Sequence, residues 1–306
     1  MSFGRLTHAL CAFVLVQLAG CASFEFAKPM PAQTQVVGVR VSGEELSGWS
    51  DLPIGVYRVP ESQVIISGHQ KGQAAGMLFG LVGVAIAHAA NASAGADAVR
   101  DAEKQLHIHL NEPLKASING LLSSGAFGAK FAADSAAGPR LQLTPALVLS
   151  FVNDSDVRPY VIIRTSLVGT DGKSQWNTRY IASTGESHAL LGTGGWLEND
   201  ASLLKATVQR NLDLATRALA SDVSRPAPRD DNRMHVVQTH YPFVKPKFQS
   251  PGYLLAEDDA TLTFVPRIGD IIVFAGVNVL DKKAVTVRPK EKDEPMMTKP
   301  VEEPKK

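Results

Sequence analysis

Apolar residues recur along this chain at two spacings, and the two alternate in blocks. Val36-Val37-Gly38-Val39-Arg40-Val41 reads as a strand, and Val64-Ile65-Ile66 as a second beyond a turn-rich piece around Gly48 and Pro53. Three longer runs, 141–152, 158–169 and 174–183, predict an antiparallel meander. The segments between them, Asn153-Asp154-Ser155-Asp156 and Thr170-Asp171-Gly172-Lys173, are rich in turn formers. In the second run Tyr160, Ile162, Arg164 and Ser166 face one side, with Val161, Ile163, Thr165 and Leu167 on the other. One face is the more apolar, as expected of a sheet that packs on helices.

Helical spacing brackets the meander. Leu114, Ile118, Leu121 and Leu122 share a face of a helix over 112–124, with Asn111 as its cap, Pro113 in its first turn and Gly125 at its end. Leu204, Val208, Leu212, Ala215 and Leu219 line a second helix capped by Asn199 or Asp200. Helix, three strands and helix predict an α+β fold over 36–223, an antiparallel sheet packed with amphipathic helices. A proline-bearing linker, 224–233, follows. Short strands at 235–240, 252–256, 261–265, 271–275 and 285–288 then predict a small all-β unit over 234–289. It is either a separate sandwich or strands added to the first sheet. Mixed charges and prolines over 290–306 predict a disordered C-terminal tail.

One segment fits neither spacing. From Gly72 to Ala96 there is no Lys, Arg, Asp or Glu. Its Gly72, Gly76, Gly80 and Gly83 approach the small-xxx-small spacing that lets helices come close. Three readings stand: a helix packed on the protein's own sheet, a self-associating or membrane-contacting helix, and a membrane span. The strongly apolar part covers only 77–86, and His88, Asn91 and Ser93 follow among alanines, which weakens the third. The four glycines are the candidate association face.

At the N-terminus a single positive charge, Arg5, precedes an apolar run from Ala9 to Val16 and a small-residue end at Ala19-Gly20. This is the layout of a secretory signal over 1–20, too short for a transmembrane helix. Leu18-Ala19-Gly20-Cys21 resembles the lipobox of bacterial lipoproteins. The resemblance implies a diacylglyceryl group on Cys21, cleavage before it, and a lipidated tether over 21–35. The family's sorting pattern implies that Ala22, where aspartate would favour the inner membrane, directs the protein to the outer membrane. The run Gly80-Leu81-Val82-Gly83-Val84-Ala85-Ile86-Ala87, followed by the charged stretch 97–104, resembles the Gly-Leu-Ile-Gly-Ala run of a loose set of bacterial lipoproteins. That second likeness supports the compartment alone.

The anchor changes what composition means. Cys11 would leave with the signal and Cys21 would be alkylated, so neither of the two cysteines could serve a disulfide, a nucleophile or a zinc site. A net charge of +1 argues against a nucleic-acid partner, which calls for a basic face.

The residues that could carry chemistry lack the spacing that each chemistry needs. His107-Ile108-His109 lacks the further ligand that zinc would need, and Asp154-Ser155-Asp156 lacks the glycine and distal Glu of a calcium loop. Ser187 beside His188 belongs to no nucleophile elbow. Gly192-Thr193-Gly194-Gly195 matches neither the dinucleotide nor the P-loop pattern. Glu257-Asp258-Asp259 reads as a solvated turn, and Trp49, Trp176 and Trp196 as core residues unless one anchors an interface. The expectation is therefore a non-enzymatic envelope protein without cofactor or metal. It is tethered to the membrane at Cys21, with an envelope-protein partner or a second copy of itself. The alternative is a periplasmic carrier of a lipid or other apolar ligand.

Overall fold

Long β-rich runs with turn-forming ends pair along their length, and here they build one large mixed sheet. The computed structural model describes residues 26–43, 46, 49, 52–53, 56–67, 102–134, 138–267 and 274–301. The signal at 1–20, Cys21, and the glycine-rich segment with Gly72, Gly76, Gly80 and Gly83 lie outside the described residues.

The fold is α+β. Among the described residues a 14-stranded sheet dominates, with few helices, one of them long and packed on the sheet. Its centre is the predicted meander: β5 (Arg140–Phe151), β6 (Asp156–Val168) and β7 (Ser174–Ser183), paired antiparallel. The edge of β5 away from β6 takes two short strands in succession, both parallel to it. β1 (Val37–Val41) pairs with its first third, and β3 (Val64–Ser67) with its last. β2 (Tyr57–Arg58) pairs with β3, β4 (Phe131–Ala133) runs parallel to β1, and β8 (His188–Ala189) pairs with the start of β6.

These parallel neighbours correct the expectation of an antiparallel sheet. Chains that leave β1 and β3 return to β5 by crossover rather than by hairpin. Parallel strands require such crossovers, and α1 (Asn111–Ser123) lies within them.

Beyond residue 233 the strands are β9 (Met234–His240), β10 (Lys247–Glu257), β11 (Thr261–Pro266), β12 (Val277–Asp281), β13 (Thr286–Pro289) and β14 (Lys299–Pro300). They run β13-β9-β10-β11-β12, and β12 then pairs in parallel with β7. The C-terminal strands are thus added to the first sheet. The joint depends on Gly276, at φ +129°: a Cβ there would lie 2.4 Å from the Arg179 carbonyl oxygen of β7. The strand expected at 271–275 is displaced. Residues 274 and 275 are not in a strand, 271–273 lie outside the described residues, and the ladder begins at Val277.

The tail is also corrected over its described part, 290–301. β14 pairs with β10, Thr298 is buried, and its hydroxyl lies 2.9 Å from that of Ser250. Arg288 forms a bidentate pair with Glu294. Paired charges and a short ladder hold a segment whose composition alone suggests disorder.

Side-chain alternation decides which face each strand residue serves. Val157, Val161, Ile163 and Leu167 of β6 join the main core with Leu204, Val208, Leu212, Ala215 and Leu219 of the long helix α2 (Glu198–Ser224). Tyr160 and Ile162 point to the opposite face and pack with Ile65, Val148, Ile181, Trp49 and Phe243. The apolar face is therefore the helix-covered one.

Both expected helix caps need correction. α1 is entered through Leu110 without a side-chain cap. Asn111 instead donates to the Gly43 carbonyl at 3.2 Å and accepts from Gln63 at 2.9 Å, tying the helix to the β1–β3 region. α2 is entered through Leu197, again without a side-chain cap, and Asn199, Asp200 and Ala201 occupy left-handed backbone at φ +51° to +57°. Asn and Asp tolerate that conformation better than most residues, which is why a polar pair suited to capping sits in a turn here. The far end of α1 follows expectation. Ser124 is its cap, the Gly125 amide donates to Leu122, and the Ala126 amide to Leu121, the paired bonds of a Schellman motif.

Candidate functional site

Two features of the fold lie beyond what packing alone requires: the fastened N-terminal segment and a polar cleft on the central sheet.

Prolines at 29 and 31 suggest a loose lead into β1, but residues 26–30 are bound to β7. The Thr178 hydroxyl donates to the Phe26 carbonyl at 2.8 Å, and the Trp176 indole to the Lys28 carbonyl at 3.0 Å. The Arg179 guanidinium lies over the Phe26 ring, 4.6 Å from its centroid. Ala27 and Met30 are buried in the main core. The expected tether is thus corrected over 26–30. Two carbonyl acceptors and two apolar side chains fix the chain from residue 26 onward, because β7 offers donors on the strand where the segment crosses.

The cleft, about 590 Å³, opens where the β7–β8 connection meets β9, β10 and the turn after β12. Arg158 of β6 lines it and is 8% exposed. Its side chain lies on the face that carries Tyr160, where burial, opposed by the Arg158 charge and by a hydrogen bond between the two side chains, pushes the phenol up to about 12. The Tyr160 hydroxyl donates to the His240 carbonyl at 3.1 Å. Among the described residues no carboxylate forms an ion pair with Arg158, and its Nε is buried without a hydrogen-bond partner.

Thr184 lines the same space. Its amide donates to Asn211 Oδ1 of α2 at 2.9 Å, while its hydroxyl is buried without a partner. His240 Nδ1 lies 3.1 Å from the Lys245 carbonyl. A carbonyl can only accept, so Nδ1 carries the proton. Burial first, then the Arg158 charge, pushes this imidazole down to about 4, a shift that the Lys245 carbonyl opposes and Lys247 reinforces. At neutral pH His240 is therefore uncharged. Lys247, Lys283 and Glu186 stand exposed at the rim, with Asp281 half-buried beside them. Glu186 is engaged by Arg210 at 3.6 Å, and Asp281 accepts from the Lys283 amide at 2.7 Å.

The residues singled out from sequence do not converge on this cleft. His107 and His109 are exposed, and no group of three or more metal-ligating side chains occurs among the described residues. His188 packs edge-on against Trp196, with ring centroids 4.7 Å apart. The Trp196 indole donates to the Val157 carbonyl at 2.6 Å. Gly194 donates to Glu198, which fastens the 192–195 loop to the start of α2. Asp258 accepts from the amides of Ala260 and Thr261, closing a turn. Trp49, Trp176 and Trp196 are all buried.

Arg158 was missed because in sequence it is one alternating residue of a strand. Its one signal is a charge immediately before Pro159-Tyr160, in a run whose centre is fully apolar.

Among the described residues no helix is long and apolar enough to cross a membrane. A scan of protein-family models and searches of curated proteins and of solved structures find no match to this chain.

Proposed function

We propose that the protein is a lipid-anchored envelope component, held on Cys21 at the periplasmic face of the outer membrane, that binds or assembles other molecules without catalysing a reaction. The observation that carries the reading is the fastening of residues 26–30 to β7, directly after the lipobox-like Leu18-Ala19-Gly20-Cys21. In an anchored chain such a clasp also fixes the point from which the tether leaves the body. Five residue steps separate Cys21 from Phe26, so even a fully extended chain spans only about 18 Å. The body would then ride close to the bilayer, with the part of β7 around Thr178 and Arg179, which Phe26 contacts, nearest to it. A diacylglyceryl group holds such a protein firmly, since each buried methylene contributes about 0.8 kcal/mol.

Radiolabelled palmitate fed to cells expressing the full chain tests this. The wild type is expected to carry label and to run at processed size, whereas Cys21→Ser is expected to be unlabelled and uncut. Normal processing of the Ser variant would overturn the reading. In-cell crosslinking of the wild type would then yield a defined envelope partner or a homo-oligomer. Recovery of monomer alone would count against an assembly role.

A further inference from the structure

An arginine more than nine-tenths buried normally sits against a carboxylate, because an uncompensated buried charge is costly. Arg158 has no such partner among the described residues, and its Nε is also unsatisfied. A second orphan, the Thr184 hydroxyl, is buried in the wall of the same cleft. Two buried polar groups without protein partners, on residues that line one cavity, are groups that a bound ligand can satisfy.

The charges around the cleft indicate what the ligand is. Arg158, Lys247 and Lys283 bring three positive charges to the lining. Glu186 is offset by Arg210 from outside the lining, so Asp281 alone opposes them and an excess of two positive charges remains. Neutral His240 neither adds to nor subtracts from that excess.

We infer that the cleft between the β7–β8 connection and β9–β10 is a binding site for a phosphate group, with Arg158 and Thr184 as its inner contacts and Lys247 and Lys283 at its rim. A phosphate monoester carries nearly two negative charges at neutral pH and matches the excess, which a lone carboxylate would half fill. Arginine suits the inner position, since its planar fork donates to two oxygens at once. At about 590 Å³ the cleft has room for more than the phosphate, within the range of small-molecule sites. The phosphate arrives either on a free metabolite or on a lipid headgroup.

Calorimetric titration of the detergent-solubilised full-length protein with inorganic phosphate, against sodium chloride of equal ionic strength, tests the site. The wild type is expected to bind phosphate saturably and to unfold at a higher temperature in its presence. Thr184→Val and Lys247→Ala are expected to fold normally and to weaken binding about tenfold, as for loss of one hydrogen bond to a charged group. Arg158→Met is expected to abolish binding. If that variant does not fold, the other two decide the matter.

Two further probes separate the sources. Tighter binding of monomeric short-chain phosphatidate than of glycerol phosphate assigns a lipid headgroup, and the reverse assigns a free metabolite. Absence of saturable binding in the wild type, or equal affinity in wild type, Thr184→Val and Lys247→Ala, overturns the inference.

Discussion

Replacing Asp222 with Asn would leave a buried guanidinium without its countercharge. Asp222 lies near the end of α2 and accepts from Arg229 through both oxygens, at 3.1 and 3.2 Å, and from the Tyr180 hydroxyl of β7 at 2.9 Å. The two charged side chains are only 4% and 6% exposed. Burial first, and then the Asp222 charge, holds the Tyr180 phenol well above its ordinary range. An Asn side chain keeps the shape and an acceptor for Tyr180 but removes the charge.

Breaking one side of such a pair costs about 3–5 kcal/mol. Arg229 already has Nε and Nη1 buried without partners, so its solvation deficit is incompletely met even in the wild type, and the lower end of that range applies. Urea unfolding monitored by tryptophan fluorescence is the assay. With a slope of about 2–3 kcal/mol per molar, the midpoint is expected to fall by about 1 M. The double variant Asp222→Asn, Arg229→Met removes both charges and keeps the Tyr180 bond. It is expected to recover to within about 1 kcal/mol of the wild type, because replacing a buried pair as a whole is often near neutral. An Asn variant within about 0.5 kcal/mol of the wild type, or a double variant no more stable than Asp222→Asn alone, would refute this account.

The remaining predictions concern pH and close packing. The His240 imidazole is pushed down from 6.5 to about 4, so between those values the unfolded chain binds the proton and the folded one does not. Stability is therefore expected to fall as pH drops from about 6.5 towards 4 and to change little from this group above that window. His240→Gln should flatten the slope, and an unchanged slope in urea midpoints between pH 7 and 4.5 would contradict it. At Gly252 a Cβ would lie 2.2 Å from the Val265 carbonyl and 2.6 Å from the Phe264 ring on the paired strand β11. Gly252→Ala is expected to destabilise by about 1–3 kcal/mol through overpacking, and a urea midpoint equal to that of the wild type would rule this out.

Much of the architecture was legible from periodicity. The meander became β5, β6 and β7 because its two-residue alternation spans ten or more residues, a signal long enough to outweigh local exceptions. α2 buries all five of the residues expected on its core side, since a 3.6-residue stripe in a helix this long has one way to face a sheet. The candidate site was not legible. Arg158 and Thr184 are 26 residues apart, and nothing local to either tells that burial leaves the Arg158 Nε and the Thr184 hydroxyl without partners beside the same cleft. The Asp222–Arg229 pair was hidden for a similar reason: Arg229 stands in a polar, proline-bearing stretch that reads as linker until Tyr180 and α2 close over it.

By itself, then, the sequence determined the types of the long elements and their apolar faces, because these depend on neighbours within one or two turns or one strand length, and Leu18-Ala19-Gly20-Cys21 supplies the expectation of an anchor. Only the tertiary structure decided which strands pair. It set β1 and β3 parallel to the two ends of β5, carried the C-terminal strands onto β7 through β12, and clasped residues 26–30 under Trp176 and Thr178. Backbone hydrogen bonds are alike at every residue and carry no label for their partner. Pairing is therefore fixed by which apolar faces can be buried together and where glycine lets two backbones meet, and neither can be read from the order of residues alone.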